Sequence, residues 1–441
     1  MKKLIILSVV LLSLSISGCK KYLEIEPVGK VIPTTVEDFR ALITSAYSTF
    51  PRHKALLAFR TDELTLDEFG QDFPTIKDIY TWKDVNQDGL TAPFPYIAFY
   101  SSIFYTNQVI ADVEAKAGVS AETAQLKAEA YLLRAYAHFE LLNLYAKPYN
   151  KATAGTDKGV PIVTTIDIEQ KFPQATVEAV YNQIFSDLAT SQQLLNVDKW
   201  DSGKNYRFGK RAALALSARI YEFRAEWDKA LTASQAVLAL NSELEDLNAT
   251  GSVLPNNYLS KENIMALEDV MDSRTSNASY ISAHLLGIYN QANDLRFAKY
   301  FSKSGSRYRS IKGNSNALKI TFRNGEMYLI AAEAALQTSN KDLALQRLLA
   351  LKAKRLTPAY FQLEQTRIST LSAADLMLEI IAERERELAL EGHRWYDLRR
   401  YGQPEMTHIV DGTNYVLQKN DPRYTIRFPQ AAIANNPGLM Q

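Results

Sequence analysis

Ala212-Ala-Leu-Ala-Leu-Ser-Ala-Arg-Ile-Tyr-Glu-Phe-Arg-Ala-Glu-Trp-Asp-Lys-Ala-Leu-Thr-Ala-Ser-Gln-Ala-Val-Leu-Ala-Leu240 is helical in periodicity but breaks near Glu226-Trp227-Asp228, so it reads as two helices joined by a tight turn. Residues 327–354 repeat the form, with a break near Ser339-Asn340-Lys341. Shifted by 114 residues, Ala218 falls on Ala332 and Ala230 on Ala344. Small residues at matching places let antiparallel helices approach closely, as in a tetratricopeptide-like helix pair. The copies are not contiguous. The fold expected is therefore all-α, an irregular α-superhelix rather than a regular solenoid.

Working outward, residues 125–145 place Leu126, Ala130, Leu133, Ala137, Leu141 and Leu144 at spacings of three and four. Residues 176–195 open with a capping Thr176 and carry Val177, Val180, Tyr181, Ile184, Phe185 and Leu188 on one face. Between the helical stretches, residues 61–95, 146–175, 196–210 and 241–325 contain Gly, Asn, Asp and Pro. They are expected to form a loop-rich ligand face, since binding residues concentrate on loops that a rigid scaffold holds.

The chain has 441 residues, 46% of them hydrophobic, enough for a large core. Its formal charge is +1, which gives no reason to expect a nucleic-acid partner. Tyrosine is abundant, 24 against 4 Trp; it suits wet interfaces as well as packing between helices. The single cysteine, Cys19, cannot make an internal disulfide.

The start of the chain explains that cysteine. Met1-Lys2-Lys3 is basic, residues 4–16 are apolar apart from three serines, and Ser17-Gly18 are small. This is the pattern of a secretory signal over residues 1–18, too short in its apolar run to span a bilayer. Ile16-Ser17-Gly18-Cys19 resembles a bacterial lipobox, which implies cleavage before Cys19 and acylation of its sulfur and amino group. Several acyl chains give stable membrane anchoring where one is marginal. Residues 19–35, with Pro27, Gly29 and Pro33, read as an acylated tether, leaving 36–441 as one helical domain with loop-rich insertions.

Three segments together resemble the RagB/SusD family of nutrient-uptake outer-membrane lipoproteins. They are Cys19-Lys-Lys-Tyr-Leu-Glu-Ile-Glu-Pro with Ile32-Pro-Thr-Thr-Val-Glu-Asp-Phe39; Glu383-Arg-Glu-Arg-Glu-Leu-Ala-Leu-Glu-Gly-His-Arg-Trp-Tyr-Asp-Leu-Arg-Arg400; and Tyr424-Thr-Ile-Arg-Phe-Pro429 with Asn435-Asn-Pro-Gly-Leu-Met-Gln441. The resemblance implies about four tetratricopeptide-like helix pairs under a variable ligand face. It also implies an oligosaccharide or peptide ligand, a SusC-like TonB-dependent transporter as partner, no cofactor, and an outer-membrane, lipid-anchored position facing the cell exterior. Where family members often carry acidic residues after the cysteine, this chain has Lys20-Lys21, which leaves the membrane face open.

The remaining patterns are weighed on their chemistry. Glu383, Glu387 and Glu391 share a spacing of four, with Arg384 and Arg386 beside them. Carboxylates interleaved with Arg form ion-pair networks and have lowered pKa values, whereas a general acid needs a raised one. His53, His138, His284, His393 and His408 show no metal-ligand spacing. The chain is therefore expected to have no catalytic residues; a lipid-anchored interaction scaffold, and then a glycoside hydrolase, are the rival readings. Asp84-Val-Asn86-Gln-Asp88-Gly89 matches the start of a calcium loop, although Pro95 stands where the bidentate Glu belongs, and turns use the same residues. For the ligand, Trp82 with Tyr80 and Asn86 is the first candidate, an aromatic face beside an amide; the other reading of Trp82 is a plug under a loop. Trp200 and Tyr289 are further candidates, whereas Trp227, at a repeat junction, and Trp395, inside the 383–400 motif, are set aside.

Overall fold

The computed structural model describes residues 33–167, 170–313 and 315–439. The leader, Cys19 and residues 20–32 of the tether lie outside them. Twelve helices are labelled here: α1 (Val36–Thr49), α2 (Phe73–Tyr80), α3 (Ile97–Ala117), α4 (Ala121–Tyr145), α5 (Val177–Leu194), α6 (Lys210–Phe223), α7 (Trp227–Leu240), α8 (Asn324–Gln337), α9 (Lys341–Lys352), α10 (Pro358–Ser369), α11 (Ala373–Leu388) and α12 (Arg394–Arg400). Short helical turns lie between them, among them Lys54–Ala58, Ala283–Gly287 and Leu295–Tyr300. Among the described residues, ten short strands pair antiparallel, two by two. β1 (Leu64–Leu66) pairs with β5 (Ser279–Ile281), and β2 (Lys158–Pro161) with β3 (Gln174–Thr176). β4 (Asn263–Met265) pairs with β8 (Phe322–Arg323), β6 (Phe301–Ser304) with β7 (Arg307–Ser310), and β9 (Met406–Val410) with β10 (Thr413–Leu417). The molecule is mostly α, as expected, with eight of these strands in or at the edge of the loop-rich stretches and the β9–β10 hairpin beyond α12.

The 114-residue repeat is real in three dimensions. Ala218, Ala230, Ala332 and Ala344 are all fully buried. Both turns close the same way: Glu226 N donates to Tyr221 O at 2.9 Å, and Asn340 N to Ala335 O at 2.7 Å. Ala225 and Ser339, again 114 apart, hold the left-handed backbone each turn needs, at φ 54° and 66°. Helices then stack on their neighbours, α3 on α4, α4 on α5, and α6 through α9 in sequence.

Cap chemistry sets the helix starts. Thr35 and Asp38 bond reciprocally ahead of α1, Thr176 accepts from Ala179 N, and Ser372 accepts from Asp375 N. Helix α4 buries its predicted row completely, but from Ala128 onward almost its whole circumference is inside. It is the central helix, and its polar residues are used internally, as where Arg134 holds Asp187 through two bonds of 2.8 and 2.6 Å.

The three glutamates of the 383–400 motif do not all lie on one helix. Glu383 and Glu387 lie on α11, but the helix ends at Leu388, and Leu390 and Gly392 take positive φ, so Glu391 sits in a turn. All three carboxylates are at most 1% exposed, and most of their partners come from remote elements. Arg296 reaches Glu383 at 2.7 Å and Glu387 at 2.9 Å; Arg323 reaches Glu387 at 2.5 Å and Glu391 at 2.9 Å. Arg355 bridges Glu387 and Glu262, and Lys312 holds Glu391 at 2.6 Å. Of the two neighbours named in the sequence, Arg386 does bond Glu383, but Arg384 turns away to Asp397. With Asp294 on Arg296 and Lys352 on Glu383, five buried carboxylates meet six cations. Those cations hold Glu383 and Glu387 well below the usual carboxylate range. The network ties the 241–325 insertion to α9 and α11.

Candidate binding cavity

The last extended segment shows how one wall of the principal cavity is built. Tyr424, Ile426 and Phe428 are buried, Tyr424 stacking on Trp395 and Phe428 on Tyr145. The alternate residues Thr425 and Arg427 line a cavity of about 1640 Å³, as period-2 alternation of an extended chain requires. Four helices end on the same space: Tyr145, Phe223, Gln337 and Arg400 are the last residues of α4, α6, α8 and α12, and all line it. A helix C-terminus presents unpaired carbonyls and partial negative charge. Arg399 answers part of this, donating to the carbonyls of Asn143 and Ala146.

Aromatic and polar groups share the wall. Trp227, Tyr149, Tyr401 and Tyr415 line the cavity half-buried, and Asn150, Gln337 and Asn420 line it exposed. Tyr401 Oη donates to Glu333 at 2.7 Å and accepts from Arg400 at 2.8 Å. Every carboxylate of the lining faces a cation: Asp84 meets Arg60 at 2.7 Å, Asp157 meets Lys147 at 2.9 Å, Glu222 meets Arg384 at 3.1 Å, Glu333 meets Arg400 at 3.2 Å and Asp421 meets Arg423 at 2.6 Å. Glu222 differs from the rest. Its oxygens are close to Arg384 but not aligned for hydrogen bonds, and burial pushes its carboxyl up to about 8. Hydrogen bonds from Arg423 pull Asp421 the other way, to about 2.

Residues 21–221 match a family described as "Starch-binding associating with outer membrane", and residues 268–441 match the SusD family. The chain belongs to the SusD/RagB family. Two SusD-like proteins of Formosa agariphila are similar over nearly their whole length. One is 22% identical, covering 90% of this chain and 91% of its own; the other is 24% identical, covering 100% and 99%. A SusD superfamily structure from Bacteroides thetaiotaomicron superposes with a TM-score of 0.78 at 21% identity, over 92% of this chain and 99% of that one. A laminarin-binding SusD-like protein gives 0.61 at 18% identity, over 84% and 92%.

In this SusD/RagB chain most of the ligand residues expected from sequence lie elsewhere. Trp82 alone of them borders the cavity, but its side chain is fully buried: its Nε1 donates to Arg60 O at 3.0 Å and its ring stacks on His408, which Tyr80 covers from the other side. Trp82 and Tyr80 are therefore a core stack, the plug reading, and offer a sugar no ring face. Tyr289 is also core, packed on Phe297 and Phe301 with Oη donating to Arg386 O at 2.7 Å. Trp200 is half-buried, lies 3.5 Å from Arg207 and does not line the cavity. Asn86 is exposed, one residue beyond the lining stretch 81–85. Of the calcium candidates, Asp84 has both oxygens on Arg60 and Asp88 Oδ1 accepts from Leu90 N, the bonding of an ordinary turn. Trp227, set aside as a junction residue, is at the cavity because the repeat turn itself opens onto it. Tyr149, Tyr401 and Tyr415 carry no local signal that separates them from packing tyrosines.

A second cluster of side chains lies where two loop-rich stretches meet. Pairing of β1 with β5 sets Thr65 opposite Tyr280. Arg307 and Arg309 lie over the Tyr280 ring at 4.6 and 4.1 Å, Asp67 pairs with Arg309 at 2.8 Å, and Phe69 nearby in sequence is 97% exposed.

Proposed function

We propose that this protein is a non-catalytic, cell-surface nutrient-binding lipoprotein. It captures an oligosaccharide, or a peptide, and delivers it to a SusC-like TonB-dependent transporter, held to the outer membrane through Cys19. The observation that carries the reading is the cavity of about 1640 Å³ with four half-buried aromatic rings on its wall. Ligand pockets for small molecules are ~300–1,000 Å³, so this space suits a chain of sugar units better than one. Aromatic faces supply stacking, and the exposed amides of Asn150, Gln337 and Asn420 hydrogen-bond to hydroxyl groups. The names of the relatives, one laminarin-binding and one family starch-binding, support a glycan as the class of ligand.

The cavity carboxylates support binding over hydrolysis. A glycosidase needs two carboxyl groups facing each other across the scissile bond. Here each carboxylate is engaged by a cation, and Arg400 lies between Glu222 and Glu333, 3.4 and 3.2 Å from them. Glu222, raised toward neutrality, is the one group that favours the hydrolase reading, and turnover of a labelled polysaccharide that stops in Glu222→Gln would establish it.

A glycan array followed by titration calorimetry on the soluble mature chain tests the proposal. Binding to at least one oligosaccharide or peptide pool, weakened by Trp227→Ala, is expected; a folded protein that binds nothing defeats it. A second reading places the ligand on the Phe69–Tyr280 ledge, favoured by the nearly complete exposure of Phe69. Phe69→Ala separates the two.

A further inference from the structure

We infer that Asp62, His284 and Glu385 form a site for a transition-metal dication of the zinc type. One ligand atom from each lies within 4.8 Å of the others. The three come from remote parts of the chain: the loop before β1, the turn Ala283–Gly287, and α11. His284 Nε2 stands 2.6 Å from Glu385 Oε1 and 3.5 Å from Asp62 Oδ2. Of the five histidines the other four are buried, so His284 is the imidazole that solvent reaches.

Arg394 holds the two carboxylates from behind. Its Nε donates to Asp62 Oδ1 at 2.8 Å, its Nη2 to Asp62 Oδ2 at 2.6 Å, and its Nη1 lies 3.0 Å from Glu385 Oε2. That leaves Glu385 Oε1 and one lone pair of Asp62 Oδ2 turned toward His284. Carboxylates fixed by an outer hydrogen-bond partner are how metal ligands are held in orientation. One imidazole and two carboxylate oxygens, with room for water at a half-exposed edge, is a donor set for zinc or its first-row neighbours; calcium takes oxygen alone. A tetrahedral shell with bonds of about 2.0 Å sets donors about 3.3 Å apart. The 3.5 Å pair already fits. The 2.6 Å pair must open by roughly 0.7 Å to reach that spacing, with the metal taking the place of the proton shared between His284 and Glu385. None of these residues lines the cavity, so the site is independent of ligand capture. Its effect is a cross-link between the turn at 283–287 and α11.

The full chain, extracted in detergent, is titrated with Co²⁺, whose visible absorption intensifies at low coordination number, and dialysed against Zn²⁺. One ion per chain is expected, with a thermal midpoint raised by Zn²⁺. His284→Ala and Glu385→Gln should each weaken metal binding about tenfold or more and abolish the thermal shift. Their metal-free melting curves serve as the folding control. A chain that retains no metal, or one whose stoichiometry and thermal shift persist in His284→Ala, overturns the assignment.

Discussion

A ring that stacks on a sugar needs one face at the solvent and the other held still. Trp227 meets both conditions, since it opens α7 at the cavity edge and is half-buried against the core. Trp227→Ala should weaken glycan binding about tenfold, which is ~1.4 kcal/mol, while changing the free energy of urea unfolding by less than ~1 kcal/mol. Trp82→Ala should do the reverse. Removing a fully buried ring with a satisfied N–H costs ~3–5 kcal/mol of stability and leaves the affinity of the folded fraction unchanged. If Trp227→Ala binds as tightly as the parent and Phe69→Ala does not, the ledge holds the ligand.

Among the elements, α11 and the repeat turns carry the most stress. Glu387 sits fully buried among Arg296, Arg323 and Arg355. Glu387→Ala strips one carboxylate from three cations and should cost ~3–5 kcal/mol in chemical denaturation, because the uncompensated charge stays buried. The neighbouring Gly325 has no room for a side chain: a Cβ there would stand 2.7 Å from Glu387 Oε1, so Gly325→Ala should destabilise through the same network. The turns offer the opposite sign. Ala225 is held at φ 54°, a conformation that costs an L-residue about 1 kcal/mol, so Ala225→Gly should raise stability by ~0.5–1 kcal/mol in urea unfolding. Ser339→Gly should behave alike, at φ 66°.

At the scale of the whole molecule, buried carboxyl groups shape the response to pH from both sides. The hydrogen bond and charge of His53 hold Glu140 down, to about 2, and Asp421 is near the same value. A depressed carboxyl group contributes its stability above its unfolded pKa, ~4 to 4.5, and loses it as pH falls toward 2. Burial raises Glu222 to about 8 from 4.5, so the folded state holds a proton that the unfolded state has lost between those values. Its contribution is complete below 4.5 and disappears as pH rises through 8. Thermal midpoints should therefore fall below pH ~4 and again above pH ~5; Glu222→Gln should lessen the alkaline limb alone, to which Glu63, also raised by burial to about 8, contributes the rest. For the anchor, Cys19→Ser should abolish incorporation of labelled palmitate and release the protein from the membrane fraction.

Much of this architecture was legible in one dimension. The helix pairs at 212–240 and 327–354 and the cap at Thr176 follow from interactions that span three or four residues. Periodicity and capping report such interactions directly, so these elements could be written down before any contact was known. The binding surface could not. Trp82 and Trp227 both lie in locally polar surroundings, and only the packing of 400–410 against 60–82 buries one, while only the convergence of four helix ends opens a space beside the other. Likewise the partners of Glu387 come from positions 296, 323 and 355, and Asp62, His284 and Glu385 meet across more than 300 residues. Burial and charge pairing are sums over segments that are neighbours only after folding, which is why the chain alone names its framework and the tertiary structure decides what that framework presents to a ligand.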